Sequence, residues 1–288
     1  MNIREFKQYA LNRLGTSAER PEIRFLVTAL LEELAGVPRY GYHTMEDRVL
    51  NPAIEKTLTG AIDQAALGKP LQYILGFVRF AGCRIKVDER VLIPRPETEE
   101  IWHLATRFEG IVVDACTGSG CLAVAFKKKR PATAVYAFDV SEEALALATE
   151  NAVGNGVDVR FFRADLNDLQ AVREAAEKAG LKTRTAGLLI SNPPYVREKE
   201  KTGMSVRVLS YEPHLALFVP DDDPLVYYRA LARLGRVLLS REGTLLAEIN
   251  ESMGDELLSL MSREGYASVH IHKDMNEKNR FIEDGRVQ

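Results

Sequence analysis

The chain has 288 residues, of which 46% are hydrophobic and 27% are charged, the balance of a folded protein with one large domain or two smaller ones. Its 38 basic and 41 acidic residues give a formal net charge of −3, which argues against a general attraction to nucleic acid or to anionic membrane. No apolar run reaches the roughly 18 residues of a membrane-spanning helix, and no signal-peptide core is predicted.

The cysteine and histidine content argues against disulfide bonds and metal sites. The three cysteines are Cys83, Cys116 and Cys121. Their number is odd and no pair has zinc-ligand spacing, so we predict a reduced, cytoplasmic compartment. Histidines such as His214 and His272 lack partners at metal-ligand spacing, and no metal site is predicted.

Residues 1–75 have the pattern of a small helical bundle. Apolar residues recur at helical spacing in two segments, at Ile3, Phe6, Ala10 and Leu14 and then at Ile23, Leu26, Val27, Leu30, Leu31 and Leu34. Asn51 and Pro52 form an N-cap followed by a proline at the first helical position, which predicts a further helix. We therefore expect a helical domain over residues 1–75.

The pattern then switches to that of strands. Phe77 to Phe80 and Cys83 to Val87, separated by Ala81-Gly82, predict a short β-hairpin. We interpret residues 76–93, which contain this hairpin, as a linker. The second domain is then expected to cover residues 94–288.

Short apolar runs alternate with helical segments in this second domain. The runs are Ile111–Val113, Ala134–Phe138, Val159–Phe162, Leu188–Ile190 and Thr244–Ile249. Alternation of this kind predicts an α/β fold, with a mostly parallel sheet and helices on both faces. Ligands of such sheets bind outside the carboxyl ends of the strands, which is where Asp114, Asp139, Asp165 and Asn192 are expected.

A glycine-rich turn follows the first of these strands. It runs from Asp114 to Gly120, and the glycines Gly118 and Gly120 allow a tight turn and close approach of a ligand. The next helix then presents free N–H groups. The spacing G-x-G-x-x-G and the G-K-[ST] of a phosphate loop are both missing. We therefore expect a nucleoside without phosphates rather than a dinucleotide.

Acidic residues end the next two strands, and each allows two interpretations. Asp139 can accept hydrogen bonds from both ribose hydroxyls, or it can act as the acidic residue at a helix N-terminus. Asp165 can reach an adenine amino group or cap a helix. Leu166 can pack on the adenine ring or in the core. The glycine turn one strand earlier favours the ribose role for Asp139.

The run Asn192-Pro193-Pro194-Tyr195 follows the fourth strand. The two prolines fix φ and remove two N–H donors, so carbonyl oxygens face outward. The side chain of Asn192 adds another acceptor, and Tyr195 offers a flat face to a planar group. Two acceptors placed in this way can hold both hydrogens of an NH₂ group.

This arrangement suits chemistry at a planar nitrogen. An amide nitrogen shares its lone pair with the carbonyl group and is a poor nucleophile. Hydrogen bonds from its N–H groups return electron density to it and stabilise the positive charge that grows in the transition state. Alignment with an electrophile adds a further large part of the rate. The run therefore predicts group transfer to an amide or amine nitrogen.

At this point the sequence resembles a known family. The glycine turn, the strand-end acid and Asn-Pro-Pro-Tyr, in this order, resemble class I amino methyltransferases. The segments Pro70–Gly76 and Leu92–Glu99, the second reading Leu-Ile-Pro-Arg-Pro-Glu-Thr-Glu, are similar to the HemK/PrmC family, the N5-glutamine methyltransferases of peptide-chain release factors. The resemblance covers nearly the whole chain.

The resemblance implies a Rossmann-like, mostly parallel seven-stranded sheet with an N-terminal helical bundle that helps to grip the release factor. It implies S-adenosylmethionine as the cofactor and the glutamine of a Gly-Gly-Gln loop as the methyl acceptor. We expect the cofactor to contact Cys116, Thr117, Gly118, Ser119, Gly120, Asp139, Asp165, Leu166 and Asn192. We expect the substrate to contact Arg95, Asn192, Pro193, Pro194 and Tyr195, with Asn192, Pro193 and Tyr195 as the catalytic residues.

Residue 116 and the segment 248–253 are among the departures from the family pattern. Cys116 stands where the family often has glycine. Residues 248–253, Glu-Ile-Asn-Glu-Ser-Met, replace a more usual Glu-Ile-Gly run, in the wall behind the cofactor.

Two alternatives remain at this stage. An adenine-N6 methyltransferase of DNA or RNA uses the same nitrogen-holding run, but it needs a basic groove for phosphates, and the balanced charge makes nucleic acid an unexpected substrate. A cofactor-binding module without activity is the other alternative, and the intact Asn-Pro-Pro-Tyr run argues against it.

Overall fold

The computed structural model describes residues 1–15 and 20–285. The helices are α1 (Ile3–Leu14), α2 (Arg20–Ala35), α3 (Gly41–Thr44), α4 (Pro52–Ala66), α5 (Leu71–Leu75), α6 (Pro96–Ala105), α7 (Cys121–Lys129), α8 (Glu142–Gly154), α9 (Leu169–Lys178), α10 (Val206–Tyr211), α11 (Val226–Leu238) and α12 (Gly254–Arg263). The strands are β1 (Phe77–Phe80), β2 (Cys83–Lys86), β3 (Ile111–Ala115), β4 (Val135–Asp139), β5 (Arg160–Arg163), β6 (Ala186–Ser191), β7 (Val196–Arg197), β8 (Phe218–Val219), β9 (Leu239–Glu248), β10 (Val269–Lys273) and β11 (Asn279–Asp284).

The chain divides into two compact units. The first unit comprises Met1–Gly76 and Ser205–Tyr211, and the second comprises Phe77–Met204 and Glu212–Gln288. The segment Ser205–Tyr211 lies within the predicted range 94–288 but packs in the first unit, where the Tyr211 hydroxyl donates to the carbonyl of Leu67 at 3.1 Å. The assignment of distinct roles to the ranges 1–75, 76–93 and 94–288 stays a prediction.

The first unit has the helices that the apolar spacing predicts. The predicted stripe of α1 is confirmed, because its four members are all buried, as are Leu58 and Ile62 of α4. The start of α4 is also confirmed, since Asn51 Oδ1 accepts from the amide of Ala53 at 2.8 Å and Pro52 is the first helical residue. The short helices α3 and α5 were not predicted.

The predicted hairpin is confirmed and packs on the sheet domain. β1 and β2 pair antiparallel, and Ala81 and Gly82 in the turn have positive φ angles of 47° and 76°, as a two-residue hairpin turn requires. Asn151 of α8 binds both main-chain polar groups of Lys86 in β2: its Oδ1 accepts from the Lys86 amide at 2.6 Å, and its Nδ2 donates to the Lys86 carbonyl at 3.0 Å.

The main sheet has seven strands in the order β10-β11-β9-β6-β3-β4-β5. The five predicted runs are confirmed as β3, β4, β5, β6 and β9, which are mutually parallel. β10 and β11 were not identified from the apolar pattern; they add an antiparallel edge next to β9. The fold class that the resemblance implied, a mostly parallel seven-stranded sheet, is therefore confirmed.

Helices cover both faces of this sheet. One face packs Val113, Leu189 and Leu245 against residues of α11 and α12. On this face Tyr228 is fully buried, and its hydroxyl donates to the carbonyl of Glu248 at 3.0 Å, which fixes the end of β9. None of the helices in residues 1–15 and 20–285 is long and apolar enough to span a membrane.

The two glycines of the turn after β3 have different surroundings, so substitution by alanine should destabilise the fold to different extents. Both have positive φ angles, 53° at Gly118 and 75° at Gly120. A Cβ at Gly120 would lie 2.9 Å from the Cβ of Ala148 in α8, whereas a Cβ at Gly118 would meet nothing within 4 Å. Gly120 is therefore needed for close helix packing as well as for its backbone angle.

We expect Gly118→Ala to lower the free energy of unfolding by about 1–2 kcal/mol, the cost of a left-handed backbone angle. Gly120→Ala should lower it by about 2–5 kcal/mol, because overpacking against α8 adds to that cost. Urea denaturation of the two variants measures the difference. Equal losses in the two variants would show that the contact with Ala148 relaxes without cost.

Candidate active site

A cavity opens at the carboxyl ends of β3, β4, β5 and β6. Its walls include the glycine turn, the end of β4, the segment after β6 and residues of two further segments, Arg90–Pro94 and Pro213–Ala216. The predicted site residues in its lining are Cys116, Thr117, Gly118, Ser119, Asp139, Asp165, Asn192 and Pro194.

Asp114 in β3 is a buried acid in the cavity wall. Its Oδ2 accepts from the Thr117 hydroxyl at 2.6 Å and from the amide of Ala123 at 3.3 Å. Its Oδ1 is buried and has no hydrogen-bond partner among the described residues. Burial raises the pKa of Asp114 to about 7. A buried acceptor without a partner is costly, so this oxygen fits a ligand that brings a donor.

The turn after β3 keeps a left-handed angle at a residue that is not glycine. Cys116 has a φ of 57°, in the left-handed region that glycine adopts most readily. Burial, together with the nearby carboxylates of Asp139 and Asp114, raises the pKa of the Cys116 thiol well above its usual value. The thiol therefore stays protonated at neutral pH and is a weak nucleophile.

Asp139 at the end of β4 supports the glycine turn. Its Oδ2 accepts from the amide of Gly118 at 2.9 Å and its Oδ1 from the amide of Ser141 at 3.0 Å. The amide of Val140 is a third main-chain donor to this carboxylate, which has about four acceptor positions. Burial raises the pKa of Asp139 in spite of these hydrogen bonds. The side chain thus holds the turn and keeps acceptor capacity for a ligand hydroxyl.

The adjacent residues Asp165 and Leu166 have different surroundings in the structure. Asp165 lines the cavity, and its Oδ1 accepts from the amide of Asn167 at 2.9 Å. Leu166 does not line the cavity; it is 4% exposed and packs in the core. The core role that the sequence left open for Leu166 is the one seen here. Gly120 also lies outside the lining, because it faces α8.

The Asn-Pro-Pro-Tyr run is fixed directly after β6. The Ser191 hydroxyl donates to the carbonyl of Ala115 at 2.8 Å and so joins the ends of β6 and β3. Asn192 and Pro194 line the cavity, whereas Pro193 and Tyr195 do not. The predicted contacts of these last two residues with substrate stay predictions.

Tyr195 points its hydroxyl into the protein. The hydroxyl donates to Glu248 Oε1 at 2.8 Å, and burial together with this carboxylate raises the Tyr195 pKa well above its usual value. The ring packs against the core. The Tyr195 ring, which the sequence analysis assigned to a planar substrate group, is therefore held in place by a hydrogen bond to the buried Glu248.

Two residues to which the sequence analysis gave no role contact the Asn-Pro-Pro-Tyr run. Thr98 of α6 and Glu248 at the end of β9 are 2% and 1% exposed. The Thr98 hydroxyl donates to Glu248 Oε2 at 3.0 Å and accepts from Asn192 Nδ2 at 3.1 Å. Burial raises the pKa of Glu248 to about 7. Thr98 lies in the Leu92–Glu99 segment that resembles the family. No sequence pattern linked Thr98 to Glu248, which is 150 positions away.

Arg95 contributes to the scaffold and not to the cavity lining. Its Nη2 donates to Glu212 Oε1 at 2.7 Å, and Glu212 Oε2 accepts from the amide of Ile93 at 3.1 Å. The Glu212 side chain is 1% exposed. This buried acid therefore fixes the segment that carries Arg95, and the predicted contact of Arg95 with substrate stays a prediction.

The charge of the lining favours a cationic ligand. Three acids, Asp114, Asp139 and Asp165, lie in the wall, and Arg90 is the one basic residue among the described lining residues. Arg90 is already paired with Asp88 at 2.7 Å. Sequence reasoning also missed Tyr227 of α11, whose partly buried ring lines the cavity beside Asp165.

Comparison with known proteins gives two family matches. The model described as the methyltransferase small domain matches residues 101–211, and the model described as the PrmC N-terminal domain matches residues 7–76. Among solved structures, the hMettl16 catalytic domain in complex with the MAT2A 3′UTR hairpin 6 is 12% identical, with a TM-score of 0.54 over 78% of this chain and 81% of that one. A methyltransferase from Pyrococcus furiosus is 18% identical, with a TM-score of 0.50 over 71% and 89%. At these identities the likeness shows the fold.

Curated relatives are more similar. A release factor glutamine methyltransferase of Bacteroides thetaiotaomicron is 36% identical over 268 residues, which cover 92% of this chain and 93% of the relative. One from Flavobacterium psychrophilum is 33% identical over 98% of both chains. Such identity over nearly whole chains shows common descent, and S-adenosylmethionine is the cofactor that a methyltransferase of this kind implies. This chain belongs to the release factor glutamine methyltransferase family.

Proposed function

We propose that this protein transfers a methyl group from S-adenosylmethionine to the side-chain N5 of the glutamine in the Gly-Gly-Gln motif of peptide-chain release factors, and so modulates translation termination. The observation that carries the proposal is the position of Asn192. Its side chain lines the same cavity as the glycine turn, Asp139 and the unpaired oxygen of Asp114. The names of the relatives support the choice of acceptor.

The cavity wall fits this cofactor. Asp114 Oδ1 is an unpaired buried acceptor, and it would hold the ammonium group of the methionine part. Asp139 would accept from a ribose hydroxyl, and Asp165 would accept from the adenine amino group. The acidic lining suits a ligand with a positive sulfur and a positive ammonium group.

When bound, S-adenosylmethionine supplies an electrophilic methyl group on a positively charged sulfur. The protein's own residues would act on the acceptor nitrogen. Asn192 Oδ1 and the main-chain oxygen of Pro193 would accept from the two N–H groups of the glutamine. These hydrogen bonds return electron density to the nitrogen, and they strengthen as positive charge grows on it. Rigid prolines hold the acceptors in place, which lowers the entropic cost of alignment.

We also propose the roles of the remaining parts of the chain. The helical unit that contains residues 7–76 would help to hold the release factor, since its match is to a domain specific to this family. A cytoplasmic location is supported by Cys83, Cys116 and Cys121, which are free thiols. The location also suits a substrate that acts in translation.

The adenine-N6 alternative uses the same corner, because adenine's exocyclic amine is also planar and conjugated. A nucleic-acid substrate would require phosphate contacts, and the described cavity lining is acidic. The curated relatives favour the glutamine acceptor. Methyl transfer to an oligonucleotide and none to a release factor would decide for the alternative.

The direct test is incubation of the protein with labelled S-adenosylmethionine and a purified release factor. We expect a single methyl group on the glutamine of the Gly-Gly-Gln peptide, seen by mass spectrometry. A release factor with that glutamine changed to glutamate is the matched control and should remain unlabelled, because it offers no NH₂ group. Label on any other residue would contradict the proposal.

Two substitutions should affect different parameters. Asn192→Ala should lower kcat about 100-fold with cofactor affinity near normal, because Asn192 holds the acceptor amide. Asp139→Ala should weaken cofactor binding about 10-fold or more, because it removes the ribose acceptors and the support of Gly118. Calorimetry and steady-state kinetics on both variants separate the two effects. Unchanged cofactor affinity in Asp139→Ala would remove Asp139 from the ribose role.

The buried charge of Asp114 predicts opposite effects on stability and on binding. Burial raises the pKa of Asp114 from its ordinary value of 3.8 to about 7, so the folded protein loses stability as pH rises through the interval between these two values. Asp114→Asn should therefore raise the free energy of unfolding at pH 8 by about 1–4 kcal/mol, with a smaller gain at pH 5, where only part of that stability has been lost.

The same variant should bind S-adenosylmethionine at least about 10-fold more weakly at pH 8, since a neutral amide cannot pair with an ammonium group. Denaturation at the two pH values and calorimetry measure both effects. A variant that binds as tightly as the wild type would remove Asp114 from the cofactor site.

A further inference from the structure

We propose that Thr98 and Glu248 are positioning residues that fix the orientation of the Asn192 side-chain amide, so that its oxygen and not its nitrogen faces the acceptor substrate. This inference rests on the proposed function and deepens it. It assigns a task to two buried residues that lie outside the glycine turn and outside the Asn-Pro-Pro-Tyr run.

An asparagine amide has two nearly isosteric ends with opposite hydrogen-bonding character. The oxygen accepts and the NH₂ group donates, so a rotation of 180° about the last side-chain bond exchanges them. Only the orientation with the oxygen toward the substrate can accept from a glutamine NH₂ group. The reverse orientation would set two donors against each other. The site therefore needs something that distinguishes the two ends of Asn192.

The structure supplies a directional chain of hydrogen bonds. Asn192 Nδ2 donates to Thr98 Oγ1 at 3.1 Å, and the Thr98 hydroxyl donates to Glu248 Oε2 at 3.0 Å. Among the described residues, none donates to Asn192 Oδ1. The oxygen is thus the end of the amide that remains available to a ligand in the cavity.

The carboxylate sets the direction of this chain. An ionised carboxylate can only accept, and a threonine hydroxyl has one proton to give. Because the hydroxyl of Thr98 gives its proton to Glu248, its oxygen can only accept from the next group. That group must be the nitrogen of Asn192. If Asn192 were flipped, its oxygen would face a hydroxyl oxygen without a proton between them, and the buried pair would be unsatisfied.

The surroundings of Glu248 keep it an acceptor. Its second oxygen accepts from the Tyr195 hydroxyl, so both oxygens are engaged by donors. The positive charge of Arg280 on β11 favours the ionised form, while Glu97 on α6 opposes it. Burial raises the pKa of Glu248 to about 7, so the carboxyl is mostly ionised at pH 8. Measurements at pH 8 therefore report on the ionised form of Glu248.

Position in the fold explains why these residues can act together. Glu248 ends β9, and Asn192 follows β6, the neighbouring parallel strand. Thr98 lies in the first turn of α6, three residues after Arg95. Since Glu212 holds Arg95 and the amide of Ile93, the start of α6 is anchored and the Thr98 hydroxyl has a fixed place between the two strand ends.

The kinetic test compares Thr98→Val with Thr98→Ser. Valine has the shape of threonine but no hydroxyl, so Asn192 Nδ2 loses its partner and the amide can rotate. Serine keeps the hydroxyl. At pH 8 we expect Thr98→Val to lower kcat for release-factor methylation about 10-fold or more, with unchanged affinity for S-adenosylmethionine. We expect Thr98→Ser to retain at least half of the wild-type kcat. Wild-type kcat in Thr98→Val would overturn the inference.

A second readout does not depend on activity. The side-chain NH₂ signal of Asn192 in a ¹⁵N NMR spectrum can be identified by its loss in Asn192→Ala. We expect slow hydrogen exchange of this group in the wild type and in Thr98→Ser, and exchange at least 10-fold faster in Thr98→Val. Equal exchange in all three proteins would overturn the inference even if kcat fell.

The two proposals fail in distinguishable ways. If the wild type methylates no release factor, the proposed function fails, while the exchange measurement still reports whether Thr98 holds the Asn192 amide. If the wild type is active and Thr98→Val matches it in both kcat and exchange, the function stands and the positioning role of Thr98 and Glu248 is wrong.

Discussion

The parallel pairing of β4, β3, β6 and β9 is the constraint on which the site depends. Parallel strands in register bring their carboxyl ends to one edge of the sheet. Residues that are far apart in the chain therefore meet there: Asp139 ends β4, Asp114 lies in β3, Asn192 follows β6 and Glu248 ends β9. The cavity lies where these ends converge. The proposed cofactor and acceptor sites thus share one wall because the backbone ladder places their residues side by side.

Burial at this edge has a cost that the fold must carry. Asp114 and Glu248 are each 1% exposed, and burial raises the pKa of both to about 7. Groups of this kind reduce the stability of the folded protein when they ionise. Each acid is used in a different way: Asp114 keeps an oxygen without a partner, whereas both oxygens of Glu248 accept from hydroxyl groups. The first arrangement suits ligand binding, and the second suits a fixed scaffold.

Sequence patterns predicted the parts of the fold in which local chemistry and tertiary structure agree. The buried stripe of α1, the cap of α4 and the five parallel strands were found because spacing and capping signals are local. β10 and β11 were missed, since β10 is only five residues long, β11 has its apolar residues Phe281 and Ile282 side by side, and their place beside β9 is set by long-range pairing. The positive φ of Cys116 could not be predicted from the sequence, because residues other than glycine rarely adopt the left-handed conformation. Thr98 and Glu248 had no visible connection, because 150 positions separate them.

The claim at the centre of this account is that a flat NH₂ group is held by the oxygen of Asn192. A crystal structure of the protein with S-adenosylhomocysteine and a Gly-Gly-Gln peptide tests it most directly. We expect the glutamine N5 to lie within about 3.2 Å of Asn192 Oδ1 and to face the cofactor sulfur, while Asn192 Nδ2 still donates to the Thr98 hydroxyl. A glutamine nitrogen bound elsewhere in the cavity, or contacted by Asn192 Nδ2, would contradict this role of Asn192.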